Sequence, residues 1–198
     1  SLEFVVDNLP DYSHATTERV PEANRFVVEV LDTYMYEPME MVVFNDGRIL
    51  YLERRGDVKL YNPVEKKTKT IATFEVSIEG NYEDGMLGVA LDPDYEQNNW
   101  IYINYSPAGS VAKQNVSRFE MIGDSLVLSS EKIVLEIPTQ RETCCHSGGH
   151  LEFGPNGDLY ISTGDNTSSK ESDGFSPIDE RPGRAPFDAQ KSSGNTHD

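Results

Sequence analysis

Residues 150–161 read His-Leu-Glu-Phe-Gly-Pro-Asn-Gly-Asp-Leu-Tyr-Ile: an apolar strand, a tight turn and a second strand that carries a tyrosine. The same plan occurs at 41–52, Met-Val-Val-Phe-Asn-Asp-Gly-Arg-Ile-Leu-Tyr-Leu, and again at 87–103, where Asp-Pro-Asp forms the turn. The equivalent residues Phe44, Leu91 and Phe153 are 47 and 62 residues apart, which fits one four-stranded blade with insertions. A sandwich of ordinary hairpins is the alternative, but a turn placed the same way three times favours a β-propeller.

Short runs rich in Val, Ile, Tyr, Phe and Thr, separated by Gly, Pro, Asn and Asp, extend this pattern along the chain. The expected strands are 26–30, 39–44, 48–53, 58–61, 70–74, 86–91, 100–105, 116–120, 132–137, 149–153 and 158–162. The sequence therefore predicts an all-β fold, with 1–198 forming a single domain. The Ser-, Asp-, Pro- and Gly-rich segment 167–198 is expected to be an irregular loop region.

The composition limits the classes of partner. The 198 residues contain 17 Lys and Arg against 34 Asp and Glu, a formal net charge of −17. Such a polyanion is repelled by nucleic acid and by anionic membrane surfaces. No run of about 18 apolar residues occurs, so no membrane span is expected. No leader peptide is visible in the residues that follow Ser1.

Reactive side chains are densest around Cys144, Cys145 and His146, with Asp165 after the next predicted strand. The Gly-Pro-Asn-Gly turn at 154–157 would fold the intervening strands into a hairpin and bring His146 and Asp165 to the same end. A histidine held by a carboxylate is a common general base, and an ordinary loop histidine is the alternative. Adjacent cysteines lack the spacing of a zinc site, so a metal site is not favoured here.

Two stretches carry a family resemblance: Asp-Gly-Met-Leu-Gly-Val-Ala-Leu-Asp-Pro-Asp-Tyr at 84–95, and the His-Ser-Gly-Gly to Gly-Asp stretch at 146–165. Both resemble the soluble pyrroloquinoline-quinone (PQQ) dependent sugar dehydrogenases, also called glucose/sorbosone dehydrogenases. The Cys-Cys-His form at 144–146, with the later segment 176–184, resembles a bacterial subgroup of that family. The resemblance covers roughly 26–198. It implies a six-bladed β-propeller, of which a chain of this length supplies about the first half.

The resemblance also implies a chemistry: oxidation of the C1 hydroxyl of an aldose to a lactone, with hydride transfer to PQQ and with calcium as a second cofactor. It assigns His146 as the general base and Asp165 as the carboxylate that orients it. It places Glu83 and Cys145 at the cofactor. The other PQQ contacts and the calcium ligands are expected in the half of the propeller that this chain lacks, so no metal ligand is assigned here.

The implied partners are a sugar substrate and an electron acceptor, such as a haem c domain or a cytochrome, in an extracytoplasmic (periplasmic or secreted) setting. There Cys144 and Cys145 can form a vicinal disulfide, and two free thiols are the alternative. Two other functions stay open. One is a calcium-dependent lactonase-type propeller, for which the sequence shows no evident set of acidic ligands. The other is a non-catalytic carbohydrate- or protein-binding propeller, favoured if His146 and Asp165 point apart.

Overall fold

The computed structural model describes residues 27–78, 83–139, 141 and 146–164. The chain divides into an N-terminal unit, 1–31, and a main unit, 32–198. Of the first unit only 27–31 are described, and they form neither helix nor strand. The strand expected at 26–30 is therefore wrong over 27–30. Val27 and Val28 are exposed there, so their β-branched side chains have no sheet surface on which to pack.

Within the described residues the main unit has ten strands and one helical turn. The strands are β1 (Pro38–Val43), β2 (Ile49–Glu53), β3 (Asp57–Asn62), β4 (Lys67–Thr73), β5 (Met86–Leu91), β6 (Trp100–Tyr105), β7 (Lys113–Ile122), β8 (Ser125–Pro138), β9 (Gly148–Phe153) and β10 (Leu159–Thr163). The helical turn is α1 (Tyr95–Asn98). Over the part of the chain that is described, no helix is long and apolar enough to cross a bilayer.

The strands form consecutive antiparallel sheets. The first sheet has the order β1-β2-β3-β4, the second β5-β6-β7-β8, and β9 and β10 pair with each other. The three sequence repeats are the first two strands of each sheet, because β1 pairs with β2, β5 with β6 and β9 with β10. Strand β5 lies next to both β1 and β9. The predicted series of propeller blades is thus confirmed, with the three leading strands side by side.

The second repeat departs from a simple turn. The chain forms the helical turn α1 between β5 and β6, and Asn99 ends it in the left-handed conformation at φ 57°. Tyr95 is buried there against Phe44 of the first sheet, with ring centroids 5.1 Å apart. The hairpin still closes, because the Asp92 N–H donates to the Trp100 carbonyl at 3.0 Å. The extra turn therefore adds packing between blades without changing the strand order.

Most of the core lies between the first two sheets. Its fully buried members include Leu50, Leu52, Val58, Met86, Ile101, Ile103 and Phe119. Burying a side chain of this size contributes about 1.5–3 kcal/mol relative to leaving it exposed. A smaller cluster of Ala90, Val116 and Leu151 holds β9 against the second sheet. That packing fixes the position at which β9 begins, and hence the loop that precedes it.

Candidate active site

The β9–β10 hairpin brings two loop residues together. Gly148 pairs with Thr163, and the Gly164 N–H donates to the Ser147 carbonyl at 3.3 Å. His146 therefore stands two residues before β9, beside Gly164, the residue that follows β10. The hairpin expected from the turn at 154–157 is formed. Asp165 lies outside the described residues, so its contact with His146 stays a prediction.

The backbone around His146 has an unusual conformation. His146 has a φ of 60°, in the left-handed region that residues with a side chain rarely adopt. Gly148 and Gly149 follow at φ 66° and 123°. A Cβ on Gly149 would lie 2.5 Å from the Cβ of Leu87, so the β9 backbone approaches β5 more closely than a larger residue would allow. The loop is thus shaped by close backbone packing as well as by its own hydrogen bonds.

The peptide groups of Ser147 are hydrogen-bonded on both sides. Its N–H donates to Glu83 Oε2 at 2.9 Å, and its carbonyl accepts from Gln114 Nε2 at 3.0 Å. Glu83 precedes β5 in the chain, whereas Gln114 lies on β7 and is 1% exposed. The structure therefore brings Glu83, the predicted cofactor contact, next to His146 through Ser147. Cys145, the other predicted cofactor contact, lies outside the described residues, as does Cys144.

A buried polar layer lies behind this loop. The Asn104 Nδ2 donates to the Gly149 carbonyl at 3.3 Å and to Gln114 Oε1 at 3.4 Å. Several buried side-chain oxygens here and nearby have no hydrogen-bond partner among the described residues: Asn104 Oδ1, Ser106 Oγ, Asn115 Oδ1, Thr139 Oγ1 and Ser147 Oγ. Buried oxygens of this kind usually bind ordered water. Neither Asn104 nor Gln114 was predicted from the sequence. The signal for Asn104 was an amide within the otherwise apolar strand β6, whereas Gln114 lies in the polar first part of β7 and gives no such signal.

One buried ion pair anchors the other side of the loop. Asp84 is 1% exposed, and its Oδ2 accepts from Arg141 Nε at 2.9 Å. Arg141 also donates to the carbonyl oxygens of Pro107 and Gly109. Because a buried carboxylate needs such a partner, this guanidinium is committed to structure. The neighbouring acidic residues Glu83 and Asp84 thus contact Ser147 and Arg141, respectively, one on each side of positions 142–146 in the chain.

Tyr105 is the last residue of β6 and follows Asn104 of the buried polar layer. Its hydroxyl donates to Glu131 Oε1 at 2.5 Å. Burial, followed by the hydrogen bond to Glu131, raises the pKa of Tyr105 to about 12. The phenol therefore stays protonated at neutral pH.

A second polar group faces a cavity of about 310 Å³ between β1, β5 and β9. The His150 Nδ1 lies 2.6 Å from Glu40 Oε2, and its Nε2 lies 3.9 Å from Glu152 Oε2. Glu40 lies on β1 of the first sheet and His150 on β9 of the β9–β10 hairpin, so this pair links two blades through their leading strands. Among the described residues, no three Asp, Glu, His or Cys side chains are arranged to hold a metal ion.

The family model of the glucose/sorbosone dehydrogenases matches residues 35–178. This chain belongs to the glucose/sorbosone dehydrogenase family. Its relatives include the human Hedgehog-interacting protein, 26% identical over 180 residues, 81% of this chain and 25% of that protein. Another is the aldose sugar dehydrogenase YliI of Escherichia coli, 25% identical over 142 residues, 70% of this chain and 38% of that protein. The resemblance seen in the two sequence stretches is thereby confirmed.

Solved structures agree on the fold. An oxidoreductase (glucose dehydrogenase) of Thermus thermophilus is 32% identical with a TM-score of 0.62, over 69% of this chain and 40% of that one. The PQQ-bound aldose sugar dehydrogenase of Streptomyces coelicolor is 22% identical with a TM-score of 0.62, and the match covers 83% of this chain and 52% of that one. The chain thus spans about half or less of each relative, and the predicted propeller fold, with this chain supplying about half of it, is confirmed.

Proposed function

We propose that the full-length protein is a PQQ-dependent dehydrogenase that oxidises the C1 hydroxyl of an aldose to the lactone, with His146 as its general base. Membership of the glucose/sorbosone dehydrogenase family supports this proposal. The observation that carries it is the setting of His146. His146 lies two residues before β9, in the His-Ser-Gly-Gly stretch that resembles the family's motif, and it has a left-handed conformation. The adjacent Ser147 is hydrogen-bonded to Glu83 and Gln114.

The described residues around His146 are compatible with a polar ligand such as PQQ. Among the described residues, the Ser147 hydroxyl is buried without a hydrogen-bond partner and is the polar group that fits such a ligand. The Glu83 carboxylate, which accepts from the Ser147 N–H, can accept a hydrogen bond from a ligand but repels its anionic groups. In the proposal, Glu83 and Cys145 line the cofactor. Because PQQ is an anionic quinone and Arg141 is paired with Asp84, the cations that hold it would come from other parts of the full-length protein.

His146 and Asp165 then have defined roles in the reaction. PQQ, when bound, supplies the acceptor for the hydride that leaves C1. The proton of the C1 hydroxyl passes to the imidazole of His146, so the sugar loses one proton and one hydride and becomes the lactone. Asp165 would hold the second ring nitrogen and stabilise the imidazolium, as a carboxylate does beside a catalytic histidine. Calcium is included in the proposal only because of the family resemblance, and it takes no part in the proton and hydride transfers described here.

The proposal includes a setting outside the cytoplasm and an electron acceptor that reoxidises the cofactor, such as a haem c domain or a cytochrome. The net charge of −17 supports a basic acceptor, because opposite charge raises the rate of encounter between two proteins. Encounter rates that fall steeply with salt would support this part, and rates that do not depend on salt would oppose it.

A second candidate is a non-catalytic, protein-binding propeller. The observation that favours it is the match to the human Hedgehog-interacting protein, which extends over 81% of this chain, compared with 70% for the Escherichia coli sugar dehydrogenase. The two candidates differ in one observable that is simple to measure. A binding propeller has no need of PQQ, whereas a dehydrogenase of this family does.

The deciding experiment is a titration of the full-length protein with PQQ, in the presence and absence of calcium, followed by dye reduction with a panel of aldoses. A saturable absorbance change and aldose-dependent dye reduction would support the dehydrogenase. A protein that neither changes the PQQ spectrum nor reduces the dye would leave the binding propeller. Hydrolysis of aldonolactones without PQQ would instead support the lactonase alternative.

A further inference from the structure

The left-handed backbone at His146 needs an explanation. For a residue with a Cβ this conformation costs free energy, and it persists only when neighbouring contacts enforce it. At φ 60° His146 is one of the few residues other than glycine in this region within the described chain. The contacts that hold the backbone there therefore also determine where its imidazole points.

Two of these contacts involve Ser147, the residue next to His146. Glu83 accepts the Ser147 N–H at 2.9 Å, and Gln114 donates to the Ser147 carbonyl at 3.0 Å. Of the two, Gln114 stands on a regular strand, since it pairs with Ile137 of β8 inside the second sheet. Because Gln114 is paired with β8 and the next residue, Asn115, is paired with Tyr105 of β6, the Gln114 amide is a firm support for the loop.

The orientation of that amide is also fixed. The Asn104 Nδ2 donates to Gln114 Oε1 at 3.4 Å, which leaves Gln114 Nε2 to face the Ser147 carbonyl. Asn104 is fully buried and also donates to the Gly149 carbonyl at 3.3 Å. The two amides thus hold the loop at both Ser147 and Gly149, and each would lose a buried hydrogen bond if the loop moved.

We propose that Gln114 is a positioning residue for His146, and that it acts through the Ser147 carbonyl without touching substrate or cofactor. This inference rests on the proposed function, because His146 must be the general base for the position of its loop to affect turnover. A buried glutamine that served stability alone would affect unfolding and leave turnover unchanged. A positioning residue affects turnover beyond its effect on stability.

The test is Gln114→Met in the full-length protein, since methionine keeps the side-chain length but cannot donate a hydrogen bond. We expect kcat to fall by about 10-fold to 10²-fold with KM nearly unchanged, because a displacement of about 1 Å at a reacting group costs up to about 10²-fold. We also expect faster hydrogen exchange in the peptide that covers 146–150. The matched control is Asn115→Leu, on the next residue of β7, where the amide contacts Tyr105 rather than the loop.

The outcomes separate the possibilities. A Gln114→Met protein with wild-type kcat, or with unchanged exchange at 146–150, would overturn the inference, as would an equal loss of kcat in Asn115→Leu. If the methionine variant does not fold, Gln114→Asn keeps the amide but shortens it by one methylene, and the same readouts apply. If the wild type neither binds PQQ nor oxidises sugars, the proposed function fails, while the exchange measurement still decides whether Gln114 holds the loop.

Discussion

The carbonyl oxygen of His146 lies so close to Gly164 that a Cβ built on Gly164 would stand 1.6 Å from it. The contact joins a loop residue two positions before β9 to the residue after β10, and the hydrogen bond from the Gly164 N–H to the Ser147 carbonyl reinforces it. The end of one strand and the start of the other thus define the backbone position of the proposed base.

The first prediction concerns that contact. Gly164→Ala should push the His146 loop away, because the clash involves backbone that cannot rotate aside. We expect the free energy of unfolding to fall by about 1–3 kcal/mol, as overpacking usually does, and dye reduction to fall with it. The control is Gly157→Asn, where a Cβ meets nothing within 4 Å and asparagine tolerates the φ of 81°. Wild-type stability and activity in Gly164→Ala would contradict the geometry.

The second prediction concerns the base itself. His146→Ala should lower kcat by about 10²–10⁴-fold, because a positioned general base contributes about that much. His150→Ala is the matched control, since His150 lies four residues away and faces Glu40 in the cavity between blades. We expect this control to keep most of its activity. Equal rates in His146→Ala and the wild type, measured by dye reduction at saturating aldose, would remove His146 from the reaction.

A third prediction tests the packing between the first two blades. Phe119 is 1% exposed and packs edge-on against Phe74 with ring centroids 5.2 Å apart. Phe119→Ala should lower the free energy of unfolding by about 3–5 kcal/mol, from lost burial and the cavity left behind. Val64→Ala, at a position 91% exposed, should stay within about 0.5 kcal/mol of the wild type. Urea unfolding measures both, and similar losses in the two variants would contradict the core assignment.

The fourth prediction concerns alkaline pH. Tyr105 has a pKa of about 12 in the folded protein, above the ordinary value of 10.0. Between about pH 10 and pH 12 the unfolded chain therefore binds fewer protons at this site than the folded one, so the free energy of unfolding falls as pH rises. Tyr105→Phe should lack this part of the decline. Urea midpoints at pH 9 and pH 11 measure it, and identical declines in the two proteins would show that Tyr105 is not responsible.

The fold was predictable because the signals for its strands and turns lie in short, continuous stretches of sequence. Period-two apolar runs and the Gly and Pro turns at 44–47 and 153–157 mark hairpins, and the spacing of the repeats marks blades. Strand limits were less accurate in the long β7–β8 hairpin, which runs from Lys113 to Pro138 with two register shifts. The polar run Gln114-Asn115 opens β7 and is buried, whereas strand propensity alone treats such residues as loop.

The site was predictable only in part. The motif at 146–165 and the turn at 154–157 placed His146 beside the end of β10. The supporting amides of Asn104 and Gln114 come from strands that are distant in sequence, so only the folded sheet shows that they meet the loop at Ser147 and Gly149. The helical turn α1 was missed for a similar reason, since burial of Tyr95 against Phe44 is a contact between blades.

The central claim is tested most directly by mixing the PQQ-loaded full-length protein with an aldose in the absence of any other electron acceptor, while the absorbance of the bound cofactor is followed. The account predicts that the spectrum converts to that of the reduced cofactor in the wild type, and at least about 10²-fold more slowly in His146→Ala. A loaded protein whose spectrum no aldose changes, or one that converts equally fast without His146, would contradict it.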